Sequence, residues 1–323
     1  MTCISILNCA SKTLGRGLCA AISIIALASN VSAETAANFH HVHLNVVDPE
    51  STIAYYEKFF SGVPVKFRGV ADAVFVDRSF ILLNKVDTPA SSAKETGLAH
   101  IGWFGVDGPG EFEWRDEEGI EWQRELSPLG DEYFMYAYGP DKEIVEVYTG
   151  PRHNRFGHVH LVSDDVAVTT KWFMEHLGLN GPEKLPPRPA LFDQGPGLMD
   201  YAKILLWDRE HLLNFLWQSE VKTTNDVIFN IFHTPVPGTF NWAGGEPMGE
   251  LKKTDGHVID HIAFSYRDID AAFARMKAAG VEIVEPISYE ETLRMRHFFI
   301  RSPDKVLVEI VEAKPIPSGV WGE

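Results

Sequence analysis

Four stretches of the chain alternate apolar and polar residues with a period of two, and each begins at a histidine: His41, His100, His158 and His261. The first reads His41-Val42-His43-Leu44-Asn45-Val46 and the last His261-Ile262-Ala263-Phe264-Ser265-Tyr266. Such alternation is the signature of a half-buried β-strand. Seven positions after each histidine stands an aspartate (Asp48, Asp107, Asp165, Asp268), placed to cap the start of a helix. Helical spacing follows over Ser51 to Phe60, Val166 to Leu177 and Ile269 to Ala279, the last closed by Gly280, with a fainter pattern over Pro109 to Glu118. Short strand-like runs come next: Val63 to Val70, Ala73 to Asp77 and Ser79 to Val86 in the first unit, Val281 to Pro286, Arg294 to Arg301 and Lys305 to Val311 in the fourth. The unit is βαβββ, and it occurs four times.

A second signature closes each unit. An aspartate in a turn (Asp77, Asp141, Asp208, Asp304) precedes by five positions an inward strand residue: Leu82, Glu146, Leu213, Glu309. Carboxylates thus alternate with leucines, so the repeat is a repeat of pairs. The opening histidines are spaced 59, 58 and 103 apart, and an insertion at about 220–256, rich in Pro, Gly and aromatic residues, accounts for the long interval as a lid or interface loop. The expected architecture is α+β: one barrel domain of two units over 38–150, a second over 155–313, and a tail over 314–323.

The first 33 residues change the picture of where this fold operates. Lys12 and Arg16 precede an apolar run from Leu18 to Ala28, and Val31-Ser32-Ala33 supplies a small-residue cleavage site, the pattern of a secretory signal peptide. The run is too short for a membrane span. The expected location is secreted or periplasmic, with no membrane association after removal of the signal. Cys3, Cys9 and Cys19 all lie inside that segment, so thiolate nucleophiles, CxxC redox chemistry and cysteine-ligated zinc are excluded from the mature chain. Losing Lys12 and Arg16 takes the formal charge from −16 to −18, which argues against a nucleic-acid partner. What remains as strong metal ligands is histidine and carboxylate.

Two histidines and one glutamate per pair of units make a facial triad that leaves metal positions open for substrate, water or dioxygen. Paired in chain order, the sets are His41, His100 and Glu146, then His158, His261 and Glu309. His43 and His160 lie two residues beyond ligand candidates and so share their face of the strand, where a neutral imidazole suits proton transfer. The alternative for both is a hydrogen-bonded core histidine that orients another side chain. His297 shares the parity of Glu309.

His41 to Asp48, Asp165 to Leu179, Ala278-Ala279-Gly280-Val281 and the closing Ser302-Pro303-Asp304-Lys305-Val306-Leu307-Val308-Glu309 resemble the vicinal oxygen chelate superfamily, which includes glyoxalase I, extradiol dioxygenases and bleomycin-binding proteins. The resemblance covers nearly all of the mature chain. It implies paired βαβββ barrels with a metal in the cavity and a substrate chelated through adjacent oxygens. The four-unit form looks most like the type I extradiol dioxygenases, which implies Fe(II), with Mn, Zn or Ni as other divalent choices, and a small catechol-like substrate. Glyoxalase I would want a polar fourth ligand where Leu82 and Leu213 stand. The tyrosine that the dioxygenases carry ten residues before the metal glutamate is matched by Tyr136 in the first half and replaced by Phe299 in the second; His211 lies near a further family histidine. Tyr136, His43 and His160 are therefore the candidate catalytic residues. A metal isomerase, lyase or hydrolase that does not use dioxygen, and a sequestration protein, are the alternatives, and the reading leaves room for a homo-oligomer.

Overall fold

A computed structural model describes residues 36–150, 154–188, 217–234 and 250–315. The first unit contains β1 (Asn38–Val46), α1 (Pro49–Phe60), β2 (Val63–Phe67), β3 (Ala71–Val76) and β4 (Ser79–Lys85). The second contains β5 (Leu98–Gly105), α2 (Gly108–Glu117), β6 (Trp122–Leu129), β7 (Glu132–Tyr138) and β8 (Ile144–Thr149). The third shows β9 (Arg155–Ser163), α3 (Val166–Leu177), β10 (Gln218–Lys222) and β11 (Ile228–His233), and the fourth β12 (Ile259–Tyr266), α4 (Ile269–Ala278), β13 (Glu282–Glu290), β14 (Met295–Arg301) and β15 (Leu307–Glu312). The signal-peptide segment lies outside the described residues, as do Asp208, His211 and Leu213. Among the described residues no helix is long and apolar enough to cross a membrane.

The aspartates act as helix caps in three units. Asp48 accepts from the amides of Glu50 and Ser51, Asp165 from Val168 and Asp268 from Ala271, each satisfying amides that the first helical turn leaves without partners. Asp107 holds the same backbone position but makes no side-chain cap bond, in keeping with the faint pattern of α2.

The strands form two sheets whose composition departs from chain order. An eight-stranded sheet runs β13-β14-β15-β12-β1-β4-β3-β2 and a seven-stranded sheet β10-β11-β9-β5-β8-β7-β6. The first unit therefore pairs with the fourth through antiparallel β1 and β12, and the second with the third through antiparallel β5 and β9. Barrels drawn over 38–150 and 155–313 are thus corrected. The connections allow this: the short link 150–154 carries β8 directly to β9, whereas 86–97 and 234–258 are long enough to leave one sheet and join the other. The segments 91–96 and 252–258 run side by side, with the amide of Val258 bonded to Ser91 O at 2.8 Å and that of Lys252 to Glu95 O at 2.8 Å.

The third unit is corrected too. Its last strand is β11, parallel to β9 as β4 is to β1, β8 to β5 and β15 to β12. The turn before it contains Asp226 at φ 66°, so Glu220 to His233 belongs largely to β10 and β11 rather than to an inserted loop.

Strand alternation then sorts the side chains. One face of each sheet carries the histidines; the other sends Phe39 (β1), Phe156 (β9), Phe229 (β11) and Phe264 (β12) into a common aromatic core with Phe173 of α3. Phe39 and Phe156 stack at 5.5 Å. A bulge between Phe39 and His41 lets β1 place Phe39 in this core and His41 on the opposite face. Units adjacent in sequence meet where the turn aspartates dock: Asp141 accepts from Val47 N at 3.0 Å, and Asp304 from Asp164 N at 3.2 Å and from the Thr169 hydroxyl.

Candidate metal centres

The seven-stranded sheet gathers His100 (β5), Glu146 (β8), and His158 and His160 (β9), all buried. Glu146 Oε2 lies 2.8 Å from His158 Nε2, 2.9 Å from His100 Nε2 and 3.3 Å from His160 Nε2. These four ligand atoms lie within 4.8 Å of one another. The backbone allows this convergence at one residue: Gly102 sits between Glu146 and His158 in the strand register, and a Cβ there would fall 1.9 Å from His158 Nε2. Only glycine leaves the ring that space. Burial raises a carboxyl, yet His160, His100 and His158 hold Glu146 well below the usual carboxylate range, while burial lowers His100 and His160. An ionised carboxylate among imidazoles, with His100 and His160 kept uncharged by burial, is a donor set suited to a divalent cation.

This cluster opens on a cavity of about 260 Å³. Phe104, Phe134, Tyr136, Tyr148, Ile228 and Phe232 form the apolar walls, with Gln218, Glu220 and Asn230 as polar points. No lysine or arginine lines it among the described residues. Asn230 Nδ2 lies 3.1 Å from His160 Nε2.

The eight-stranded sheet gathers His41 and His43 (β1), His261 (β12), His297 (β14) and Glu309 (β15). Glu309 Oε2 lies 3.0 Å from His41 Nε2 and 3.3 Å from His261 Nε2, and His297 Nδ1 bonds the other carboxylate oxygen at 2.5 Å. His41 Nε2 and Glu309 Oε2 are buried and, despite their separation, make no hydrogen bond among the described residues. Two lone-pair atoms so placed fit a shared cation, since buried polar atoms otherwise find partners. Outer partners orient the ligands: His261 Nδ1 lies 2.6 Å from Asp260 Oδ1, Asn45 Nδ2 reaches the other Asp260 oxygen at 3.2 Å, and His40 Nδ1 meets His41 Nδ1 at 2.8 Å. Burial opposes a charged imidazole, but Asp260 and Glu309 push His261 up to about 9. Burial and the nearby His261 and His41 push His43 down to about 3. Leu82, Ala263, Leu293, Met295 and Val311 fill the same side of this sheet with an apolar cluster.

All six residues read as ligands lie in these clusters, but the sets exchange a member. His158, rather than His41, joins His100 and Glu146; His41, rather than His158, joins His261 and Glu309. Tyr136 and His160 stay with Glu146, and His43 goes with Glu309. The position that corresponds to Leu82 is Asn230, not Leu213, because Asn230 pairs with His160 as Leu82 pairs with His43. The polar residue wanted by a glyoxalase is thus present at one centre. Gly102, Asn230, Asp260 and His40 were missed. A glycine two residues after a strand histidine was the available signal for the first, and the Asn225-Asp226 turn, five and four residues earlier, for the second.

Residues 155–310 match the family model described as the Glyoxalase/Bleomycin resistance protein/Dioxygenase superfamily. Residues 155–310 thus carry the sequence pattern of this superfamily. Solved structures support the fold. Glyoxalase I from Zea mays aligns with a TM-score of 0.58 at 16% identity, covering 86% of this chain and 92% of the other. A mutant of the same protein aligns with a TM-score of 0.59 at 16% identity, covering 85% and 94%. A Bacillus subtilis protein named "putative dioxygenase" aligns with a TM-score of 0.54 at 12% identity over 86% of each chain. No curated protein matches.

Proposed function

We propose that this superfamily member is a divalent-metal-dependent enzyme that works at the His100/His158/Glu146 centre, as an extradiol-type dioxygenase on a small, uncharged, catechol-like molecule. The observation that carries the reading is a two-histidine, one-carboxylate set opening on an aromatic-walled cavity. Fe(II) held there would supply Lewis acidity toward two adjacent substrate oxygens and reactivity toward dioxygen. The chain's own residues do the rest. Phe134, Tyr148 and Phe232 offer faces and edges to a ring. The Tyr136 hydroxyl donates a hydrogen bond to a substrate oxygen, and His160, kept neutral by burial, accepts the proton a hydroxyl releases. Glu220 on the wall, with no lysine or arginine beside it among the described residues, favours a neutral substrate over one carrying carboxylates. The Lys12 to Ala33 segment supports export to the periplasm or beyond.

Lewis-acid isomerisation or elimination without dioxygen is a second reading, and Asn230 beside His160 favours it by adding a polar group to the donor set. The two separate cleanly. Protein reconstituted with Fe(II), Mn(II), Zn(II) or Ni(II) under anaerobic conditions is offered diphenols and α-hydroxy ketones, and oxygen uptake is followed when air is admitted. Oxygen uptake stoichiometric with diphenol loss supports ring cleavage; conversion of an α-hydroxy ketone that proceeds without oxygen supports the second reading.

A further inference from the structure

The second histidine of the His-x-His strand occurs at both centres, and its neighbour differs. At the cavity, an amide occupies the ring nitrogen: Asn230 lies 3.1 Å from His160 Nε2, which is thereby engaged in either orientation of the amide. At the filled centre the matched neighbour is Leu82, which offers no hydrogen bond. His43 Nδ1 instead turns to His261 Nε2 at 3.1 Å, and the ring nitrogens of His41, His43 and His261 all lie within 4.8 Å of one another. The facing nitrogens of His43 and His261, with Glu309 Oε2 at 3.0 Å from His41 Nε2 and 3.3 Å from His261 Nε2, bring three imidazoles and a carboxylate together as potential donors. His43 is half-buried while His41, His261 and Glu309 are buried, and the apolar cluster around Leu82 and Met295 lies on the same side of the sheet.

We propose that His43 completes a closed four-donor metal site with His41, His261 and Glu309, and that the ion bound there staples the first unit to the fourth instead of meeting substrate. The inference rests on reading both clusters as metal centres and departs from it in giving them different tasks. A structural ion needs a full set of protein donors and no exchangeable position, whereas a working ion needs an open one. The outer bonds agree: Asp260 and His40 fix the rings of His261 and His41, the arrangement that raises affinity. The ligands come from β1, β12 and β15, so the ion closes a loop spanning almost the whole described chain, which is where a cross-link removes the most unfolded-state freedom.

The test uses Co(II) in full-length protein carrying His100→Ala and Glu146→Gln, which disable the cavity centre, with circular dichroism to establish folding. One retained Co(II) with an intense four-coordinate visible spectrum, unchanged by azide or catechol, is the expected result. Adding His43→Ala should weaken that spectrum, make it respond to azide and speed removal by a chelator at least about tenfold. A second variant, Leu82→Asn, reproduces the neighbour found at the cavity and should likewise make the spectrum azide-sensitive without deleting a ligand. A five- or six-coordinate spectrum that azide shifts while His43 is present, or a His43→Ala spectrum and release rate identical to the parent's, overturns the proposal. Because the readout is spectroscopic, wild-type protein inactive on every diphenol would defeat the proposed dioxygenase and leave this site standing, and an active wild type with an open second site would do the reverse.

Discussion

Around Glu146 stand a glycine, an amide and a phenol; around Glu309 the matched strand positions hold alanine, leucine and phenylalanine. Gly102 answers to Ala263, Asn230 to Leu82 and Tyr136 to Phe299, each pair fixed by the same register to a ligand strand. The donors themselves are the same on both sheets, two histidines and a glutamate with a third histidine two residues along. One frame therefore carries two environments. Small and polar residues stand beside the cavity at the first centre, and an apolar cluster packs beside the second. The comparison teaches that the same donor set can stand in different surroundings, and that the residues beside it decide whether it opens on a cavity.

The strongest way to break this comparison is Gly102→Ala. The added methyl meets His158 Nε2 and must displace the ring, so turnover should fall about 100-fold, the loss expected from misplacing a reacting group by an ångström. The reciprocal Ala263→Gly should leave turnover within about twofold; steady-state kinetics on both variants checks this.

A second variant tests whether the two sheets stand or fall together. Asn225, in the turn of the seven-stranded sheet, accepts from Phe39 N and donates to Phe39 O of the eight-stranded sheet, each at 2.9 Å and buried. Asn225→Ala leaves both groups unsatisfied and should lower the unfolding free energy by about 2 kcal/mol. Urea denaturation should show one cooperative transition moved to lower urea; two separated transitions would mean the sheets unfold independently.

Tyr136→Phe sharpens the contrast on the catalytic side. Loss of one hydrogen bond to a bound oxygen should reduce kcat about tenfold, and Phe299→Tyr should not change it. Equal effects of the two substitutions would erase the distinction.

The smallest effects concern pH and the seams between units adjacent in sequence. Burial pushes Glu143, bonded to the Tyr56 hydroxyl at 2.9 Å, up to about 7 and Asp304 up to about 6. Both carboxyls thus keep protons in the folded chain that the unfolded chain has released above its ordinary carboxylate range. Their contribution to stability is complete below that range and is lost as pH rises through 6 and 7. Glu143→Gln and Asp304→Asn should each flatten the decline in stability between pH 5 and pH 8, read from melting temperatures across that window.

Much of the fold was legible because it is local. Period-two alternation at His41 and His261, the aspartates at Asp48, Asp165 and Asp268 and the closing carboxylates all depend on near neighbours in the chain. Unit pairing was not, because β1 finds β12 through contacts more than two hundred residues apart, and nothing in either strand names its partner. The same gap moved His41 and His158 between sites. Asn230 was hidden by reading Asp208 as the third unit's turn when the turn at Asp226 was also present, and Asp260 because its side chain acts through the neighbouring His261.

Glu146→Gln compared with Glu309→Gln, each assayed for bound metal and for turnover of the same substrate, tests most directly which of the two centres works. We expect Glu146→Gln to lose turnover by at least about 100-fold and to shed or loosen one ion, the scale on which perturbed metal sites fail. Glu309→Gln should keep turnover near the parent's at a temperature where it remains folded, while losing thermal stability. Abolished turnover in folded Glu309→Gln, with Glu146→Gln active, would contradict the assignment of the cavity centre as the working one.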